Sequence, residues 1–350
     1  MVDPKARLFL FERSLAFIRA AQTPDGGFIA CPSYPTYRYV WARDGAFTAE
    51  AMRAAGQADC ALAFHRFMAT AVLALAGPAG EPPAVLPARF ELNGGLDRSG
   101  WPNFQVDGYG LWLWALRRQD ASGSLGQAVA AAAETVARYL AVHWSDPCHD
   151  PWEEGGESLP VATLAASVAG LRAATAMLGA GPWRQAATDA WHLLLQDGVE
   201  DGRLRKDVGV AGGVDAATLW ALAPLGLFAP DDPIHAGTVF DVERRLMAPN
   251  VHRHPGDEYY GGGAWPILSA LWGLARLEAG DRRAAECAVA WIETTAAADG
   301  AMPEQVPEPM LHPDHLARWV AERGPVATPL TWSHAMYVLL ALGLTGTEAL

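Results

Sequence analysis

Residues 265–297 read WPILSALWGLARLEAGDRRAAECAVAWIETTAA. The first part is apolar on most sides. The part from Asp281 onward places its apolar residues at helical spacing and keeps a clear polar face. A short, plain loop, LEAGDRR, joins the two. An all-round apolar helix belongs inside a molecule and a helix with a polar stripe belongs at its surface. The stretch therefore predicts a helical hairpin with one inner and one outer arm.

The same alternation runs along the chain. ATLWALAPLGLF is another apolar segment of the inner kind. Beta signals are scarce, and Ala-rich helical segments are separated by loops rich in Gly and Pro. Start and stop signals give about twelve helices. They are expected to begin near Lys5, Asp44, Ala58, Asp107, Leu125, Val161, Trp183, Asp215, Phe240, Trp265, Arg282 and Ser333. Loops before odd-numbered helices are mostly short. Those before even-numbered helices are long and chemically rich: TYRYVWARDG, SGWPNFQVDG, CHDPWEEGGES, RHPGDEYYGGGAW and GAMPEQVPEP followed by PLTWSHA. Their helices recur roughly every 50 to 70 residues, near the length of a helical pair with its loops. If neighbours are antiparallel, all the rich loops emerge on one face. Six such pairs closed into a ring make an all-α (α/α)6 barrel with these loops around one mouth.

Composition narrows the partners. The chain has 350 residues, 51% of them apolar and 19% charged, with a formal net charge of −13. That is globular composition. It argues against nucleic acid or an anionic membrane surface as main partner. Acid at Asp3 and the charges Arg7, Glu12, Arg13 and Arg19 make the N-terminus an amphipathic helix and not a signal peptide. No apolar run is expected to reach bilayer length. Cytoplasmic residence is expected. Cys31, Cys60, Cys148 and Cys287 are scattered without a CxxC pair and read as buried free thiols.

The rich loops hold the candidate chemistry. Tyr37, Tyr39, Trp41, Trp101, Trp152, Tyr259, Tyr260, Trp265 and Trp332 either pack the loops or form stacking platforms for a sugar. Sugar rings present C–H faces to aromatic rings and hydroxyls to charged partners. Arg43 and Asp44 can fork onto hydroxyls, while Asp44 and Asp107 also read as helix N-caps. Glu153, Glu154 and Glu304 place carboxylates on two separate loops of one face. Glycoside hydrolysis needs one carboxylic acid to protonate the leaving oxygen and one carboxylate to activate water or attack carbon. GGGAW lacks the ending of a phosphate loop. His252/His254 and His312/His315 have ligand-like spacing, but neither a metal nor a cofactor is expected.

In order and spacing, the strings YRYVWARD, WPNFQVDG, DPWEE, DAATLWALAPLGLFAPDDP, RHPGDEYYGGGAW, PEQ and PLTWSHA resemble glycoside hydrolase family 15, the glucoamylase and glucodextranase family. The resemblance covers nearly the whole chain. It implies an (α/α)6 barrel and an inverting, exo-acting α-glucoside hydrolase. It makes Glu153 the general acid and Glu304 the general base. Arg43 and Asp44 fall where the family binds hydroxyls of the non-reducing glucose. Tyr37, Trp101 and Glu154 fall at pocket-lining positions, and Arg253 at an arginine that binds sugar around the cleavage point. Inversion requires the two carboxyls to stand roughly 6.5–9.5 Å apart, leaving room for a water. The expected organisation is one catalytic domain over residues 1–350, without an N-terminal β-domain or a carbohydrate-binding module. Gly256 replaces a frequent acid, and ESLPVAT replaces aromatic residues after the Glu pair. Both changes touch the leaving-group side. The expected substrate is a small α-linked glucose oligosaccharide, isomaltose-type or malto-type. An α,α-trehalase of the same family and a non-catalytic sugar-binding barrel remain alternatives.

Overall fold

The computed structural model describes residues 4–120, 126–307 and 309–346. In chain order its helices are α1 (Pro4–Ala21), α2 (Ala42–Ala54), α3 (Ala58–Leu75), α4 (Asp107–Gln119), α5 (Gln127–His143) and α6 (Val161–Leu178). These are followed by α7 (Pro182–Asp197), α8 (Pro233–Leu246), α9 (Pro266–Glu278), α10 (Arg282–Thr295), α11 (Leu316–Arg323) and α12 (Thr331–Thr345).

Packing between elements closes a ring. α2 lies on α4, α4 on α6, α6 on a 3-10 segment at Ala216–Ala221, that segment on α9, α9 on α12, and α12 returns to α2. The remaining long helices back this ring: α1 on α12, α3 on α2, α5 and α7 on α6, α8 on the 3-10 segment, and α10 on α9. The architecture is the (α/α)6 barrel, with the apolar helices inside. The opening stretch is one of its hairpins. Pro266 starts α9, where its missing N–H is no loss. The Asp281 side chain caps α10 through the Ala284 amide at 3.0 Å. Ile267, Leu268, Leu271 and Leu274 of α9 are buried, and such burial stabilises by about 1.5–3 kcal/mol per side chain. α4 and α6 approach so closely that glycine is required. A Cβ on Gly110 would lie 2.3 Å from the Ala166 carbonyl oxygen, and one on Gly170 2.5 Å from Gly110 Cα.

Several expectations change. The element near Asp215 is six residues of 3-10 helix rather than an α-helix; Pro224 soon after it forbids a continuing ladder. The helix expected near Phe240 begins at Pro233, capped by Asp232, a cap-plus-Pro signal that resembled a loop. The start expected near Leu125 lies outside the described residues. α11 was not expected at all; it sits inside the last rich loop. Two helices, α3 and α6, are long and apolar enough to cross a bilayer by length and composition, contrary to expectation. α6 is the inner helix that meets α4, α5 and α7, and 72% of it is buried. Cys31 and Cys148 are buried free thiols, whereas Cys60 is half-buried and Cys287 exposed.

Strand structure among the described residues is limited to two short ribbons. β1 (Val40–Trp41) pairs with β2 (Arg89–Phe90), and β3 (Val199–Glu200) with β4 (Arg203–Leu204). The first sets Trp41 opposite Arg89 at the barrel mouth.

Candidate active site

A cavity of about 950 Å³ opens where the long loops enter the inner helices. It is lined by Tyr37, Trp41, Arg43, Asp44, Trp101, Trp152, Glu153, Glu154, Arg253, Trp265, Glu304 and Trp332. Of the other loop aromatics and acids singled out from the sequence, Tyr39 and Tyr259 also line it, whereas Tyr260 and Asp107 do not. The twelve arrive from the loops before α2, α4, α6, α9 and α12 and from the first turns of α2 and α12, so the expected one-sided arrangement of rich loops holds.

Arg43 organises one wall. Its Nη1 donates to Gln105 at 2.8 Å and to Asp107 at 3.1 Å. Its Nε lies 3.5 Å from Asp44, and its Nη2 3.7 Å from Glu153. Neither aspartate is an N-cap: Trp41 and Val106 occupy the cap positions, and neither side chain caps. Asp44 and Asp107 lie in the first turns of α2 and α4 and face a buried cation instead. Pairing inside the protein outweighs capping here, because an unpaired buried guanidinium is far costlier than a missing cap. Burial pushes Asp44 up to about 6, against the pull of Arg43 and with the push of Glu153 and Asp107.

Glu153 sits on a tight turn in the left-handed region, φ 69°. Its amide donates to the Asp150 carbonyl at 2.9 Å, and the Asp150 amide to the Glu154 carbonyl at 3.1 Å. Asp150 Oδ1 accepts from the amides of Trp152 at 3.0 Å and Glu154 at 2.9 Å. A non-glycine left-handed residue costs of order 1–2 kcal/mol and persists only where such contacts over-determine it. The carboxylate faces donors: Trp41 Nε1 at 2.6 Å and Gln105 Nε2 at 3.2 Å both donate to Oε1.

Glu304 has other surroundings. It is buried, and its Oε2 has no hydrogen-bond partner. Burial pushes it up to about 8; the phenols of Tyr37 and Tyr259 and the Arg253 cation act the other way. Those phenols bond one another at 2.7 Å. Burial and the Glu304 charge raise both phenols well above their usual range, so they stay protonated.

Glu154 projects on the open side of the same turn. It accepts from Arg253 Nη2 at 3.0 Å and pairs with His254 Nε2 at 3.0 Å. Burial raises it, but these two partners prevail and hold it at about 2. Arg253 is fixed from behind by Asp257 and lies over the rings of Trp152 and Trp265. Gly256 lines this side too. A Cβ there would meet only His254 Nδ1, at 3.8 Å, so the space a larger residue would take is open.

The model of "Glycosyl hydrolases family 15" matches residues 5–299. The chain belongs to this family. An isomaltose glucohydrolase of Kribbella flavida is 39% identical, over 96% of this chain and 93% of the relative. A solved variant of a glycosidase in complex with glucose is 36% identical, covers 99% of both chains and superposes with a TM-score of 0.91. A bacterial glucoamylase complexed with acarbose shares the fold, with a TM-score of 0.77 at 23% identity, over 97% of this chain and 56% of that one. This family 15 chain is a glycoside hydrolase.

Some lining residues of the family 15 cavity had not been singled out as site residues. Arg89 stacks on Trp101 at 3.8 Å and on Tyr39 at 3.9 Å, and is itself held by Asp97 at 2.6 Å. Trp319 and Arg323 reach the cavity from α11. Their only sequence signal was a short amphipathic run, LARWVAER, in a loop. The histidine pairs have ordinary partners. His252 meets the Gly262 carbonyl, His254 Glu154, His312 the Pro255 carbonyl and His315 Glu258. Among the described residues no group of three His, Cys, Asp or Glu could hold a metal ion.

Proposed function

We propose that this enzyme is an inverting, exo-acting α-glucoside hydrolase that releases β-glucose from the non-reducing end of small α-gluco-oligosaccharides. Isomaltose-type α-1,6 links come first and malto-type α-1,4 links second. The observation that carries the reading is the set of polar atoms left without partners in one cavity. Asp44 Oδ1, Glu304 Oε2 and the indole nitrogens of Trp101, Trp265 and Trp332 are all buried without a hydrogen-bond partner. Buried polar atoms normally have partners. A sugar supplies hydroxyls for them and apolar C–H faces for the rings around them. The similarity to an isomaltose glucohydrolase supports the α-1,6 preference.

The chemistry follows from the two carboxyl groups. The terminal glucosyl ring sits among Tyr37, Trp41, Trp101 and Trp332, with Arg43 and Asp44 toward its hydroxyls. Glu153 gives its proton to the glycosidic oxygen as the bond from that oxygen to the anomeric carbon breaks. Glu304 takes a proton from a water that attacks the opposite face of that carbon. The Tyr37 and Tyr259 phenols keep their protons and can hold the water oxygen. Glu154, Arg253 and the space beside Gly256 receive the leaving sugar. The test is glucose release from isomaltose, maltose and trehalose. Isomaltose is expected to be cleaved fastest; fastest release from trehalose would replace this reading by a trehalase.

A further inference from the structure

Behind the Glu153 turn lies a cation that the reaction does not touch. Lys206 follows β4 and is three-quarters covered, its Nζ 3.6 Å from Asp150 Oδ2 and 3.5 Å from Asp215 Oδ2. Both carboxylates are buried. Asp150 is the residue whose other oxygen collects the Trp152 and Glu154 amides around Glu153. Asp215 receives the indole N–H of Trp152, at 3.0 Å to each of its oxygens. Both ends of the turn thus hang on two carboxylates with one ammonium between them. The backbone of Lys206 is fixed as well: its carbonyl accepts from Val161 at the start of α6, at 2.9 Å.

We propose that Lys206 is a positioning residue for the proton donor: by bridging Asp150 and Asp215 and offsetting their repulsion, it holds Glu153 in its left-handed turn with the carboxyl toward the leaving oxygen. Without the ammonium, two buried carboxylates face each other. One must take up a proton or swing away, and either change loosens the ties that keep Glu153 at φ 69°. The inference rests on reading Glu153 as the proton donor, so its test separates the two.

The probe is a pair of substrates that differ in their need for an acid. Breaking the glycosidic bond of isomaltose expels an alkoxide that must be protonated. In α-glucosyl fluoride the C–F bond breaks with its electron pair, and fluoride leaves without a proton from Glu153. A misplaced acid therefore slows only the first substrate, whereas a damaged pocket slows both. For K206M the expected result is a kcat on isomaltose at least about tenfold lower, since small misplacements of catalytic groups cost that much. KM on isomaltose and the rate on α-glucosyl fluoride should both stay within about twofold of the parent enzyme. K206R, which keeps a cation with several donors beside both carboxylates, should keep most of the isomaltose activity. Equal loss on the two substrates, no loss on either, or a K206M chain that does not fold would each overturn the proposal. E153Q, run alongside, must show the same split more strongly. If it does not, the donor assignment fails and the role of Lys206 falls with it; if E153Q splits and K206M does not, only the role of Lys206 is lost.

Discussion

Glu153 and Glu304 line one cavity in opposite surroundings. Glu153 lies on a strained turn, faced by an indole N–H, an amide N–H and, slightly farther, a guanidinium. Glu304 is buried, with one oxygen unpaired, and burial pushes it up to about 8. That favours the neutral acid. As the proposed base, Glu304 must give up that proton before it can take one from the attacking water. The leaving oxygen gives a protonated Glu153 an acceptor, and the attacking water gives an ionised Glu304 a donor. Such placement lets binding energy be used at the transition state.

Removing each carboxyl gives the largest expected effect. E153Q and E304Q should each lower kcat on isomaltose by about 10²–10⁴-fold. Only E304Q should also lose α-glucosyl fluoride hydrolysis; equal behaviour of the two variants in rate assays would erase the distinction. Removing Arg43 comes next. R43M leaves Asp107 buried without its cation, and one-sided loss of a buried pair costs about 3–5 kcal/mol. Urea unfolding should show this, and a stability loss under about 1 kcal/mol would count against Arg43 as the organiser of that wall.

Single neighbours sharpen the contrast further. W41F keeps an aromatic ring, smaller than the indole, but removes the donor to Glu153 Oε1. The Glu153 carboxyl then loses one of the donors that orient it, so kcat on isomaltose should fall by about tenfold or more, and by more than the rate on α-glucosyl fluoride. Y259F acts on the other side, at the phenol near Glu304, and should lower both rates.

The last expectations concern pH. Glu304 must be ionised to act as base, so kcat/KM should fall as pH drops through a value near 8, above the ordinary carboxylate range. Y37F should move that limb upward, because the Tyr37 phenol acts to lower Glu304. Stability carries the same signature with its own sign. The folded state binds this proton more tightly than the unfolded chain, whose value is 4.5. The associated stability is complete below 4.5 and is lost as pH rises to about 8. E304Q escapes that loss, so its melting temperature relative to the parent enzyme should rise between pH 5 and pH 8 in calorimetry.

Much of this was legible in the sequence, for a physical reason. The inner ring shows because helices buried on most sides must be apolar on most sides, as in residues 265–277. The mouth shows because aromatic and charged side chains are concentrated in loops of one parity, and antiparallel packing sends those loops to one end. What stayed hidden depends on partners distant in sequence. Asp44 and Asp107 obey the local rule for caps, yet turn to Arg43. Lys206 and Arg89 look like ordinary surface cations until Asp150, Asp215 and Asp97 are placed beside them. α11 has eight residues, too few for periodicity to mark it within a proline-rich loop, so Trp319 and Arg323 were missed with it.

The proposed division of labour between the two carboxyl groups has one direct consequence in the product. If Glu304 activates water on the face opposite the leaving group, the first glucose formed has the β configuration. Proton NMR of the anomeric signals during early hydrolysis of isomaltose reads this before mutarotation blurs it. A β-glucose signal is expected to appear first, with the α signal growing in later. A first product of α-glucose would contradict the inverting assignment and with it the roles given to Glu153 and Glu304.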